Sequence, residues 1–599
     1  MAPKAAPVDH SEAVDQALSQ TREAAGLAKA AAFDAILALF GEPETLALAV
    51  AHAAEIAAEA AGVLAEVAAM AQPTDDEAAA AHAKGVQLLT ALCDAGAATT
   101  ISAACLPPLL AVIATPAAKA SRTAAASGAV PGPAVGPEGA ACSPAAAAPP
   151  VPPPAWRSAD LTESRVALLT SACTGLCSLA AYAEGRIALR RASALPPLLA
   201  LLQPVLAEHA ALQAQAALTL AHLAESPLCR ASLRDSTTRP ALLGVLTLLQ
   251  APAVANDAHG LRLRAKLLLL LGFCLYDGAL LPSLLSASLL TAALTLLDLP
   301  TADGEAEPPS AEALQCAAEL RANAASVLAI GCQYQAGRDA LCQAGGLDRL
   351  AASLSAIVGV EPLPAGDAAA AAVIANIVLA VAHAALDGDT AAVLAANPSV
   401  IPSLVGLLQP APEDAVVGWA AVRGNACTAL AHLAHVPSGR ATVLTMPMAA
   451  AATDPDAAAA AEDADTLAEE SKTTAPAADA LATLVAILNA AAPAPADGGD
   501  TAVDQQPDAA LIAAASNVLH EVAGEEAGRL AIVAAGGIEA LLPLLSAVQQ
   551  PNVLEAAASA YAALVRAAAA PDCSQALVQY SAEPRSDSMV QFRSIKRLS

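Results

Sequence analysis

Aliphatic residues along this chain gather into short dense runs, and between the runs alanine and leucine recur every three or four residues. The dense runs, such as "CLPPLLAVIATP" from Cys105, "VIPSLVGLLQP" from Val400 and "IEALLPLLSAV" from Ile538, read as short buried helices. Proline near the start of several of them suits a first helical turn, where a missing N–H costs nothing. The stretches between carry one apolar face at helical spacing and predict longer amphipathic helices: "LQAQAALTLAHLAES" from Leu212, "LRANAASVLAIGCQ" from Leu320, "VRGNACTALAHLA" from Val422 and "LIAAASNVLHEVAG" from Leu511. A third piece opens on Gly-Arg, as in "GRDALCQA" from Gly337, and stops at Gly or Gly-Gly, which supplies the left-handed turn that ends a helix. The pattern therefore predicts one unit of three helices, repeated.

Leucine runs begin at Cys105, Ala194, Arg239, Leu289, Gly346, Val400, Ala480 and Ile538, a return of roughly 40 to 60 residues once inserts are allowed, which is the range of stacked helical repeats. A linear core also explains how 599 residues avoid one oversized compact core. Composition agrees: 56% of residues are hydrophobic but only 2% aromatic, so the apolar content is mostly alanine and leucine, the best helix formers. The fold class is all-α.

The phrase "GRLAIVAAGGIEALLPLLSAV" from Gly528, followed by "VLEAAASAYAALV" from Val553, resembles the armadillo-repeat family in its order of short helix, Gly-Gly, leucine helix and long helix. The resemblance covers roughly Leu161 to Arg566, and more weakly Ala80 to Ile113. It implies a right-handed α-solenoid of about eight degenerate ARM/HEAT-like repeats, with HEAT-type helix pairs as the alternative.

Departures from the repeat set the expected domains. Residues 1–114 are Ala-rich helices and a degenerate first repeat, with Ser11 as a cap, and form either a cap on the solenoid or a separate hairpin. Residues 115–160 turn to Pro, Ala, Gly and Ser and read as a disordered linker ending near Trp156. The solenoid spans 161–572, interrupted by an acidic disordered insert at 446–476. Shorter inserts at 300–309, 360–367 and 492–508 all follow leucine runs, which places them on one face. Residues 573–599 form a basic flexible tail with Arg585, Arg593, Lys596 and Arg597 against Asp587.

Charge narrows the partners. Lys+Arg number 29 against 57 Asp+Glu, a net of −28, and such a field repels phosphate backbones and anionic lipid. Protein partners are expected, with basic or helical segments, and neither nucleic acid, membrane nor a small-molecule substrate. "GALLPSLLSASLLTAALTLL" (278–297) is long enough for a membrane span, but Pro282 and its place in the repeat favour buried solenoid helices. The N-terminal stretch has no apolar leader pattern, and the 12 cysteines show no secretory framework, which leads to an expectation of a reducing, cytoplasmic location. The alanine bias typical of GC-rich genomes, joined to the armadillo resemblance, extends that expectation to a cilium or the cytoskeleton, with the nucleus left open.

No catalytic or metal motif emerges. Cys173 and Cys177 are spaced to share one metal but no further ligand pair completes the set, so both read as core thiols; the Gly-Gly junctions lack the phosphate-loop phrase. The chain is expected to be no enzyme and to need no cofactor. What the resemblance implies instead is a groove lined by the long helices, and candidate partner-binding residues there are His222, Ile330, Val381, His432 and Glu521, with Asn323, Asn425 and Asn517. The Trp/Asn ladder by which the family's nuclear-import adaptors hold basic peptides is missing, since Leu218, Ser326, Ile377, Thr428 and Asn517 stand four residues before the first five. The expected function is a protein-binding scaffold or adaptor, the alternative a regulatory factor that promotes nucleotide exchange on a GTPase or chaperone. The repeated Arg186, Arg230, Arg338, Arg440 and Arg529 either line an edge toward acidic partners or bind carbonyls and acids of their own stack.

Overall fold

A computed structural model describes residues 16–21, 27–39, 51–69, 76–114, 156, 161–251, 254, 257–286, 288–298, 310–358, 367–409, 418–445, 480–491, 509–547 and 550–566. The expected linker apart from Trp156, the acidic insert, most of the shorter inserts and the basic tail lie outside them. All regular structure among the described residues is helical. The fold divides into two compact units, Met1–Ala292 with Ala302–Asn323, and Ala293–Thr301 with Ala324–Ser599.

The first unit is a stack of layers. The long helices Glu163–Ala180, Ala210–Ala224 and Ala258–Leu275 pack side by side, and Ala183–Arg191 with Leu195–Leu201, then Pro227–Leu233 with Arg239–Leu249, supply the short and leucine helices between them. The N-terminal helices continue this stack. Asp76–Leu92 lies against Glu163–Ala180, with His82 Nδ1 3.1 Å from Ser171 Oγ and Thr90 Oγ1 2.9 Å from Ser178 Oγ. Ala53–Ala69 packs on Ala98–Ile113, where the Cys105 thiol donates to the Ala57 carbonyl at 3.3 Å. With Leu27–Leu39 packed on Asp76–Leu92, these helices bury Phe33, Ile36, Ile56 and Leu64. Trp156 is buried too, with the Arg165 guanidinium 5.8 Å from its ring centroid.

The second unit repeats the arrangement through the triplets Gln335–Gln343, Gly346–Val358, Ala368–Ala384; Gly388–Ala396, Val400–Gly406, Trp419–Ala434; Pro437–Thr445, Ala480–Ala490, Ala509–Val522; and Glu526–Ala534, Gly537–Ala547, Pro551–Arg566. Its long helices again pack on one another, and their small alanine faces permit the close approach. The apolar stretch 278–297 is broken into Leu281–Ser286 and Leu289–Leu297, and among the described residues no single helix is long and apolar enough to cross a membrane.

In some layers the turn between short and leucine helix is made by a left-handed residue. Gly345 (φ 63°) and Gly536 (φ 81°) supply it in the second unit, while Ser193 (φ 57°) stands there in the first. Left-handed backbone costs an L-residue roughly 1–2 kcal/mol. Ser193→Gly should therefore stabilise the first unit by about 0.5–1 kcal/mol and Ser193→Ala should not, as read from the midpoint of thermal unfolding. Equal midpoints for the glycine and alanine variants would contradict this account.

A candidate partner-binding surface on the long helices

The repeated arginines are structural. Each reaches back to the frayed end of the preceding long helix, where four carbonyls lack intrahelical donors. Arg186 Nη1 donates to the carbonyls of Ala180 (3.0 Å) and Ala181 (2.9 Å), Arg230 to Ala224 (2.7 Å) and Glu225 (2.9 Å), and Arg338 to Cys332 (2.9 Å) and Gln333 (3.2 Å). Arg440 does the same to Ala434 (3.0 Å) and His435 (2.7 Å), and Arg529 to Ala523 (3.0 Å) and Gly524 (3.4 Å). A cation there also meets the negative end of the helix dipole. In the unit between Arg338 and Arg440 the place falls to Thr390, whose hydroxyl donates to the Ala384 carbonyl.

Hydrogen bonds between adjacent long helices fix the register of the exposed face. His383 Nδ1 donates to the Ala329 carbonyl (2.8 Å), His432 Nδ1 to Ala382 (2.8 Å), Asn425 Nδ2 to Ala375 (2.9 Å) and Asn323 Nδ2 to Ala265 (2.9 Å). Each acceptor lies one residue before the equivalent position on the neighbouring helix, so His383 matches His432 and Ile330, while Asn323, Asn376 and Asn425 match one another. Val381 is fully buried and has no place in this row; His383 takes it. The sequence alignment slips there because Thr390 replaces the arginine from which the other units are counted, and an Ala-rich helix offers few other marks. Ile377, four before Val381, is likewise fully buried, and Leu379 is the half-buried residue that lines up with Ser326 and Thr428.

Of the remaining candidates, Ile330, His432 and Glu521 are half-buried on their helices and Asn517 is exposed. Glu521 accepts from His435 at 3.1 Å. In the first unit His222 is half-buried and donates from Nδ1 to Glu225 Oε1 at 3.0 Å. Asn323 and Asn425 spend one amide N–H each on their own stack, as given above. Burial holds the His383 imidazole below its ordinary range; the bond to Ala329 opposes this, and His432 and Arg338 add to the lowering. The sequence gives no separate signal for His383 or Asn376, which emerge only from the inter-helix bonds.

Near the C-terminal end of the second unit a shallow polar depression of about 330 Å³ is lined by Arg440, His520, Glu521, Gly524, Arg529 and Ala563, among others. Its groups are largely committed: Arg440 Nε to Glu525 Oε1 (2.9 Å), His520 Nδ1 to the Ser559 carbonyl (3.1 Å) and both arginines to helix ends. Cys173 and Cys177 are buried; burial pushes the Cys173 thiol up strongly and, against the opposing Thr219 and Lys266, Cys177 to about 11, so neither ionises at neutral pH.

No family model and no curated protein matches the sequence. Solved structures do match. One, described as the crystal structure of an engineered protein, is 16% identical over 92% of this chain and 98% of its own, with a TM-score of 0.55. A designed armadillo repeat protein covers 54% of this chain and 99% of its own at 20% identity, with a TM-score of 0.35. A structure from work on a phosphorylation switch in the interaction between cadherin and beta-catenin covers 93% and 95% at 14% identity, with a TM-score of 0.34. At 16% identity the first of these speaks to fold alone. With its layers of short, leucine and long helix, its arginine-bound helix ends and its left-handed Gly-Gly turns, the chain is an α-solenoid of armadillo-repeat-like fold.

Proposed function

We propose that the chain is a non-enzymatic scaffold that binds a partner protein, as a helix or an extended segment, along the exposed row of its long helices. The observation that carries this reading is the row itself. Successive long helices of the second unit present Ile330, His383, His432 and Glu521 at one level and Ser326, Leu379, Thr428 and Asn517 at another, an apolar and polar mixture repeated from layer to layer. Such a surface suits an elongated occupant better than a small molecule.

The test is cross-linking of native full-length protein to its partner, followed by variants. Asn517→Arg and Thr428→Arg place bulk and charge on the row and should weaken retention of the partner about tenfold or more. Leu228→Arg, on a short helix where the side chain is already 57% exposed, should leave retention unchanged. Equal losses for all three, or cross-links confined to 446–476 and 573–599, would refute groove binding.

A further inference from the structure

His383 and His432 each place Nδ1 against a backbone carbonyl, at 2.8 Å in both cases. A carbonyl oxygen can only accept, so in neutral imidazole the proton must sit on Nδ1. Nε2 is then left with its lone pair. Neither Nε2 has a hydrogen-bond partner among the described residues, and neither is among the buried polar atoms left without one, so both face solvent. The two stand at equivalent positions on adjacent long helices of one unit. Building on the groove-binding reading, we infer that His383 and His432 form a paired acceptor site that reads N–H groups of an extended, largely uncharged partner segment, and that protonation of the His383 ring reverses the reading there.

The surroundings select that occupant. Leu379 and Ile330 beside the histidines are apolar, and the matching positions Ser326, Thr428, Asn376 and Asn425 are uncharged. A main chain running across the helices can offer an N–H to each Nε2 while its side chains rest on Leu379 and Ile330. Arg338, on the short helix before that of His383, is the charged side chain that acts on His383 beside His432; His435 and Arg440 follow the helix of His432 in sequence, and Glu521 on the next long helix has its carboxylate held by His435. Arg338 and the second histidine both oppose a charge on His383, as does its burial. The acceptor form of His383 is accordingly the one present at neutral pH. Once protonated, Nε2 carries a hydrogen of its own and meets the partner's N–H donor to donor.

Two measurements test this. On full-length protein labelled with ¹⁵N in histidine, imidazole shifts at pH 7.5, assigned by loss of signal in His383→Gln and His432→Gln, should show both rings protonated at Nδ1 and bare at Nε2. Rings protonated at Nε2 would overturn the proposal whether or not a partner is known. On the native complex, lowering the pH from 7.5 until the ¹⁵N shifts show the His383 ring protonated, which its burial and neighbours place below the ordinary imidazole range, should weaken retention about tenfold or more. The double variant His383→Gln, His432→Gln keeps an amide donor for the carbonyl and an oxygen acceptor that does not titrate, so its complex should hold equally at both pH values. A pH response that survives in the double variant refutes the paired site, whereas a partner cross-linked only outside the long helices refutes the underlying groove reading.

Discussion

Gly337→Ala should destabilise the second unit by about 3 kcal/mol, near or above the upper end for overpacking of a well-filled site. A methyl built on Gly337 would lie 1.9 Å from the Gly331 carbonyl oxygen and 2.6 Å from its carbon. Both atoms belong to the backbone of the long helix, so no side chain can swing aside. Relief requires the short helix Gln335–Gln343 to move away, which would pull Arg338 Nη1 off the Cys332 and Gln333 carbonyls it satisfies. Gly424→Ala is the contrasting substitution: nothing lies within 4 Å of its added methyl, it sits inside Trp419–Ala434, and alanine there should stabilise by roughly 0.5–1 kcal/mol. Because stacked repeats open locally, hydrogen exchange of 311–343 is the suitable reading, with protection falling in Gly337→Ala and preserved in Gly424→Ala. Unchanged protection in Gly337→Ala would mean that the short helix is not held against the carbonyl as described.

That steric demand is why Gly-Arg repeats in the sequence. Gly185, Gly439 and Gly528 meet the same obstacle, each with a carbonyl oxygen 1.9 to 2.0 Å from the missing methyl, and each precedes one of the helix-end arginines. Glycine admits the short helix and arginine binds the end of the long one. The later Gly-Gly adds a left-handed turn and then a second tight approach, since a methyl on Gly537 would lie 2.4 Å from Ile532 Cγ2. Backbone requirements of this kind leave unmistakable residues, and the helix order was legible from them. The binding face was less so. Its register depends on which carbonyl a histidine or asparagine reaches on the neighbouring helix, and in the unit with Asp389 and Thr390 in place of Gly-Arg the count moved from His383 to the buried Val381. The arginines, open in the sequence to either an interface or a structural role, proved to be held by carbonyls, two of them also by Glu225 and Glu525 of the following layer.

Acidification should weaken the N-terminal layer through His82. Its side chain is fully buried between Asp76–Leu92 and Glu163–Ala180, with Nδ1 against Ser171 and Nε2 buried without a partner. Burial first, and the nearby Arg165 second, lower its pKa from 6.5 to about 4. The unfolded chain thus takes up the proton near pH 6.5 while the folded chain refuses it until about pH 4. The stabilising contribution is whole above pH 6.5 and is lost as pH falls through this window, a loss of about 3 kcal/mol at 1.36 kcal/mol per unit. His82→Gln keeps a polar group beside Ser171 but does not titrate. Denaturant midpoints at pH 7 and pH 4.5 should therefore diverge steeply in the native sequence and much less in His82→Gln, the difference between the two slopes isolating His82 from His383 and the carboxylates. An identical acid response in both proteins would show that the ring is hydrated or already charged at neutral pH, and that the layer carrying Asp76–Leu92 is not closed over it.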